Sequence, residues 1–289
     1  MDSKTNIAIS GATGFIGKNL LYRLNEMGCN VFELGRDLFY TDNDHLTNII
    51  SNADIVINLA GAPLNKKWTD DYKRTIIESR LHITRSIVNA INKTQRTKLL
   101  ISTSAVGIYP TDGCFDESYD SHSKTFLGRL CNSWEEEVKR VRIDVRVVIT
   151  RFGIVLAPKG GAYEKMVLPF QNGISVTIAD KNNFISWIDI EDLINGIIFI
   201  IENKNISGVV NFTAPDIITQ KKFADVLSLH NKTLIRMNIP SFVLKLLLGE
   251  YSQLLTQSVC VKPAVLTSLS FNYKSPNFEN FVERVEKQK

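Results

Sequence analysis

The chain has 289 residues, 44% of them hydrophobic and 22% charged, a soluble globular composition with length for one large core or two smaller ones. Its 34 basic and 30 acidic residues leave a formal charge of +4, and no window gathers five or six Lys or Arg, which argues against nucleic acid as a partner. No apolar run reaches the roughly 18 to 20 residues of a membrane span; the richest, residues 242–248, is broken by Lys245 and ends at Gly249.

The first six residues hold no apolar signal core, so the cytoplasm is the expected compartment. A strand is predicted over 6–10, a helix over 17–27, strands over 31–34 and 54–59, and a long helix over 69–92. A strand at 99–102, a polar loop with Pro110, Asp112 and Gly113, a helix from about 124 to 142 and a strand at 145–149 follow. Strands that read as continuous Val/Ile/Leu runs, separated by helices, indicate a parallel sheet covered on both faces. After about residue 156 the pattern loosens. A turn at 158–161 precedes a strand at 174–178, a helix over 189–202 that Asp189 caps, and a strand at 208–212. The helix 219–231 has Thr219 as its cap, and Pro240 and Ser241 open another over 241–248.

Four cysteines, Cys29, Cys114, Cys131 and Cys260, lie far apart without a C-x-x-C pair, and His45, His82, His122 and His230 show no i, i+4 ligand pair. Buried or incidental thiols are expected, rather than a disulfide scaffold or a metal site.

Between the first strand and first helix lies Gly11-Ala12-Thr13-Gly14-Phe15-Ile16-Gly17, a G-x-x-G-x-x-G loop. Gly11 permits the sharp turn, Gly14 lets backbone approach a pyrophosphate, and Gly17 lets helix pack on strand, while the free N–H groups at the helix start face negative charge. A plain glycine turn is the bland alternative; the strand before and the helix after favour dinucleotide binding. The architecture expected is a doubly wound Rossmann α/β domain over 1–156 and a smaller C-terminal α/β substrate lobe over 157–289, of which about 184–203 return to the Rossmann sheet. Cofactor choice is read at the end of the second strand, where Gly35 leaves room and Arg36 offers a fork suited to a 2′-phosphate, favouring NADP(H) over NAD(H). The competing reading gives Asp37 the ribose and leaves Arg36 a solvated charge.

Several further segments carry a family likeness: Asn58-Leu59-Ala60-Gly61, Trp68, Ser79-Arg80, Ser102-Thr103-Ser104-Ala105, residues 130–135, residues 151–156 and Trp187-Ile188-Asp189. With the glycine loop they resemble the atypical extended short-chain dehydrogenase/reductases, an NAD(P)-binding group described only as sugar-nucleotide epimerase-like. A tail with Gly249-Glu250, Leu254-Leu255, Pro263 and Phe271 resembles that group's small C-terminal domain. The resemblance implies a cofactor lined by Gly35 and Arg36 at the 2′ side, Leu59 and Ala60 beside adenine, and Thr75, Arg80 and Arg151 as further polar contacts; Gly61, Ser102 and Thr103 are also expected to bind the cofactor. It departs at Asp189, where members of the group usually carry His.

A working short-chain dehydrogenase pairs Ser with Tyr-x-x-x-Lys, the ammonium lowering the phenol pKa toward working pH. Ser104 is present, but Phe126 and Leu130 stand at the two other places. Tyr109 is the nearest substitute phenol, with Lys124 or Arg129 as sources of charge; a packing role for Tyr109 is the alternative. Three readings follow. The first is an NADP-dependent oxidoreductase or epimerase of degenerate motif, acting on a small molecule through Ser104 and Tyr109. The second is a non-catalytic NADP(H)-binding redox sensor. The third is an interaction module built on the apolar residues 242–248. The expected assembly is a monomer or homodimer.

Overall fold

In the computed structural model residues 5–41 and 43–287 are described; positions 1–4, on which the reading of the N-terminus partly rests, lie outside them. Strand β1 (Asn6–Ser10) runs through the glycine loop into α1 (Phe15–Glu26) and back to β2 (Asn30–Leu34). A 3-10 turn at Arg36–Phe39 and α2 (Asn43–Ile50) precede β3 (Ile55–Asn58), α3 (Asp70–Asn92) and β4 (Leu99–Ala105). The short β5 (Cys114–Phe115), α4 (Phe126–Val138) and β6 (Arg146–Phe152) complete the first half. Thr69 caps α3 by accepting from the Tyr72 N–H, and Asp70 and Asp71 favour the positive end of the helix dipole. Strands β4 and β6 each run three residues past their expected ends. Their polar C-terminal residues still pair, Thr103 opposite Thr150 and Ser104 opposite Arg151, so the ladder carries hydrophilic side chains into the interior.

The second half comprises β7 (Ile154–Leu156), α5 (Tyr163–Gln171), β8 (Ile174–Ile178), β9 (Phe184–Ile185), β10 (Trp187–Asp189), α6 (Ile190–Glu202) and β11 (Gly208–Phe212). After these come β12 (Ile218–Thr219), α7 (Gln220–Asn231), β13 (Ile235–Ile239), α8 (Ser241–Leu248), α9 (Gln253–Thr256), β14 (Cys260–Val261), α10 (Ala264–Ser268) and α11 (Phe278–Glu286). Asp189 caps α6 and Thr219 caps α7, each through its side chain.

Six parallel strands form the main sheet in the order β2-β1-β3-β4-β6-β11. Successive residues face opposite sides: Ile7, Ile9, Ile55, Ile57, Leu99 and Ile101 pack with α1 and α6, while Ala8, Val56 and Leu100 pack with α2 and α3. Burial on both faces explains the unbroken apolar runs, each fully buried Ile or Leu contributing about 1.5–3 kcal/mol. The chain crosses from the β2 side to the β3 side between β1 and β3, which opens a crevice at their C-terminal ends. From the second half, β11 joins the sheet beside β6, and α6, within the segment 184–203, covers its face.

One expectation is overturned. Cys114 and Cys260 form a disulfide across 146 residues, so only Cys29 and Cys131 are the buried thiols foreseen. The pair meets because β14 lies parallel to β5 in the register Cys114 opposite Cys260, a contact created by the C-terminal segment folding back over the loop after β4. A second tie is Asp192, which accepts from the N–H groups of Lys274 and Ser275 and anchors the tail to α6. Among the described residues no helix is long and apolar enough to cross a membrane.

Candidate functional site

The glycine loop sits over the crevice. Gly11 has φ +73°, and a Cβ there would stand 2.8 Å from the backbone C and O of Leu59; one on Gly17 would stand 2.2 Å from the Gly11 carbonyl oxygen. No other residue type meets both demands, so β1, β3 and α1 approach one another as closely as backbone allows. The N-cap of α1, Gly14, has no side chain to occupy the first-turn N–H groups, which belong to Phe15, Ile16 and Gly17. A free, positive helix end therefore faces the crevice. The Phe15 ring turns to the Gly160-Gly161 turn, and Ile16 packs on the sheet core, so both serve the crevice through backbone alone.

Beside the loop runs a groove of about 420 Å³. Of the residues singled out in the sequence, Gly11, Thr13, Gly14, Gly35, Arg36, Leu59, Ala60, Gly61 and Thr75 line it. Gly35 leaves open space where a Cβ would be, and the exposed Arg36 makes no hydrogen bond or ion pair to a described residue. The groove wall also carries Glu33, Tyr40 and Glu78, which sequence reasoning did not select, and Ser79, which it marked only as part of the family likeness. Tyr40 stacks on His82 with ring centroids 5.0 Å apart, and the His82 ring in turn bonds the Phe39 carbonyl, which fixes this wall.

The turn after β3 is held from behind. Asn58, buried at the end of an otherwise apolar strand, accepts from Ser10 Oγ at 2.6 Å and from the Ala60 N–H at 3.3 Å, and donates to Thr84 Oγ1 and Ser102 Oγ. Ser102 is thus fully buried in a brace beneath the crevice, away from its surface. Arg80 is likewise turned inward. Both its Nη atoms donate to the Ala62 carbonyl at 3.2 Å, its guanidinium lies 5.3 Å from the Trp134 ring centroid, and a Cβ on Gly61 would strike it at 2.9 Å. Arg80 therefore shapes the turn after β3 without lining the groove. Thr103 carries a buried Oγ1 with no partner among the described residues.

Further along the sheet edge the catalytic candidates form a closed chain of hydrogen bonds. Ser104 Oγ donates to Glu135 Oε1 at 2.6 Å; Arg151 grips the same carboxylate with Nε at 2.9 Å and Nη2 at 2.8 Å. Its Nη1 donates to the Tyr109 hydroxyl at 2.8 Å, which donates to Asn211 Oδ1 at 2.9 Å. Ser104 and Tyr109 are each 1% exposed, and Arg151 and Glu135 about 5%. Burial raises the Tyr109 pKa more than Arg151 and Asn211 lower it, the reverse of what a proton-transferring phenol needs. Desolvation disfavours the Arg151 charge, but the Glu135 carboxylate more than offsets it and the guanidinium stays charged. Lys124 and Arg129 are exposed and bond to each other through the Lys124 carbonyl, so neither supplies charge to Tyr109. Phe126 and Leu130, in the Tyr and Lys places, pack with Trp68 and Leu127 in an apolar cluster. Glu135 and Asn211 were the residues missed here; an acid on the buried face of α4, four residues after Cys131, and an Asn within Val-Val-Asn-Phe were the available signals.

The pattern of the NAD dependent epimerase/dehydratase family matches residues 7–212, and that of a domain of unknown function, DUF1731, matches residues 239–285. The chain is 32% identical over 290 residues to epimerase family protein SAR0825 of Staphylococcus aureus, covering 95% of this chain and 97% of that one. It is 32% identical over 291 residues to epimerase family protein YfhF of Bacillus subtilis, covering 94% and 96%. Among solved structures, the human epimerase family protein SDR39U1 with NADPH superposes at a TM-score of 0.89 with 26% identity, over 99% of this chain and 100% of that one.

Proposed function

From the premise that this chain belongs to the NAD dependent epimerase/dehydratase family, we propose that it binds NADP(H) in the groove beside the glycine loop, with a compact small molecule in reach of the nicotinamide end. The observation that carries the reading is the pairing of an uncapped α1 N-terminus with an Arg36 side chain that has no partner among the described residues, beside the open space at Gly35. The first suits a pyrophosphate, the second a 2′-phosphate. The NADPH in the human relative's structure agrees with this choice. Adenine lies against Leu59, Ala60 and Gly61, with Thr75 at the rim. Thr103, whose Oγ1 lacks a partner, is the polar contact next along the edge, whereas Ser102, Arg80 and Arg151 act from behind the surface.

When bound, NADP(H) supplies or accepts a hydride at its nicotinamide ring. The protein's part is to bind and orient; Ser104 and Tyr109 serve as structural members of the Glu135–Arg151 network, and any turnover draws no proton from them. Their full burial also favours a second reading, in which NADP(H) is bound as a signal without turnover. Titration of the purified protein with NADPH and NADH, followed by nicotinamide fluorescence, tests the cofactor assignment. Binding of NADPH at least tenfold tighter than NADH, weakening with salt, is expected; equal affinity for both overturns it. Monitoring the bound NADPH at 340 nm against small-molecule acceptors then separates turnover from silent binding.

A further inference from the structure

A second cavity, of about 210 Å³, opens at the C-terminal ends of β4 and β6, next to the crevice along the same sheet edge. Its walls are apolar: Val106 and Leu127 on one side, Phe152 and Phe184 on another, and Leu254 and Val259 from the C-terminal segment. None of its lining residues is Lys, Arg, His, Asp or Glu. Its polar groups are Ser186 and three glutamines. Ser186 Oγ is already used, donating to the Val259 carbonyl at 2.7 Å and accepting from the Val261 N–H at 3.0 Å. Gln220, Gln253 and Gln257 make no side-chain hydrogen bond among the described residues, and Gln253 Oε1 is buried with no partner.

A buried carboxamide oxygen without a partner is costly, and the group that carries it can both donate and accept. A diphosphate or carboxylate in this cavity would lose water and find no cation. The volume lies below the roughly 300 Å³ at which drug-sized sites begin, so it suits one or two rings. Ligands of open α/β sheets bind outside the strand C-terminal ends, and the groove already claims those of β1 and β3. We propose that this cavity is the substrate site and takes a compact, uncharged, largely apolar molecule bearing a carbonyl or hydroxyl group, held by Gln253 and Gln220, and that it does not take a nucleotide-linked sugar. Its role as substrate site rests on the NADP(H) reading of the neighbouring groove; its ligand chemistry does not.

The test uses the full chain saturated with NADP+, with the glutamine side-chain amide resonances assigned in ¹⁵N NMR spectra. Three uncharged bicyclic probes, 1-tetralone, 2-naphthol and coumarin, are titrated beside 1-naphthoate and UDP-glucose. At least one uncharged probe is expected to shift the Gln253 and Gln220 amides saturably, with 1-naphthoate and UDP-glucose at least tenfold weaker. Gln253→Leu weakens that probe several-fold, and Val106→Phe, which fills the cavity, abolishes its binding while the rest of the spectrum stays folded. No shift with all three uncharged probes, or UDP-glucose or 1-naphthoate binding as tightly as they do, overturns the proposal. NADPH fluorescence on the same samples reports the groove separately, so loss of cofactor binding with an intact probe response would remove the cofactor reading alone.

Discussion

The two ends of the sheet edge are built on opposite terms. Beside β1 and β2, backbone N–H groups at an uncapped helix start and the guanidinium of Arg36 have no partner among the described residues and lie in an open groove. Beside β4, β6 and β11, Ser104, Tyr109, Glu135, Arg151 and Asn211 satisfy one another in the interior. Polar groups held ready for a ligand and polar groups spent on the fold share one residue vocabulary, and only their partners tell them apart. The first region is open to a ligand; the second is a buried brace, and Phe126 and Leu130, in the Tyr and Lys places, pack apart from it in an apolar cluster.

The largest expected effect breaks the brace. Glu135→Ala leaves the Arg151 charge buried and unpaired, at a cost of about 3–5 kcal/mol in urea unfolding, whereas Glu135→Leu combined with Arg151→Met costs much less. NADPH affinity should stay within a few-fold in whichever variant remains folded; a large specific loss of affinity would move the brace into the binding site. Gly17→Ala attacks the other region. Its methyl meets the Gly11 carbonyl oxygen at 2.2 Å and pushes α1 off β1. About 1–3 kcal/mol of stability should go, with NADPH binding weakened more than tenfold. Unchanged binding would mean that the helix start does not touch the cofactor.

Tyr109→Phe sharpens the contrast. It strips Arg151 Nη1 and Asn211 Oδ1 of a partner and should cost about 1–3 kcal/mol with cofactor affinity and any turnover preserved. A fall in rate of about 10² to 10⁴, the size of a lost acid, would restore Tyr109 to the chemistry. The smallest effect belongs to Asp192, whose pKa burial pushes up to about 6 despite the N–H groups of Lys274 and Ser275. Being raised in the folded state, it contributes stability that is fully present below its ordinary value of 3.8 and is lost as pH rises through about 6. The Asp192 carboxyl carbon should titrate in NMR with a midpoint near 6; a midpoint near 3.8 would show that the tail anchor is open to water.

What was legible in the sequence is what short-range pattern encodes. The strand–Gly11–Gly17–helix turn, the apolar strands and the side-chain caps Asp189 and Thr219 are local signals, and the folded chain uses them as read. The absence of Tyr-x-x-x-Lys was equally plain, and Phe126 and Leu130 do pack as apolar residues. The hydrogen-bond partners of Ser104, Tyr109 and Arg151 were not legible, because Glu135 and Asn211 come from α4 and β11, Asn211 lying 102 positions from Tyr109. The Cys114–Cys260 disulfide was out of reach for the same reason: its register exists only once the tail has crossed the loop after β4. The apolar residues of α8 suggested either core or interface; Phe242, Leu246 and Leu247 are more than two-thirds exposed, while Leu244 is buried.

Arg36 is expected to hold a 2′-phosphate in a groove that works without the buried brace. NADPH and NADH dissociation constants for the wild-type chain and for Arg36→Ala test it most directly, as a cycle of two ligands and two proteins. Loss of a charge-assisted bond worth about 1.5–3 kcal/mol should weaken NADPH by roughly 10- to 150-fold and leave NADH unchanged. Equal weakening of both ligands, or of neither, would contradict the account.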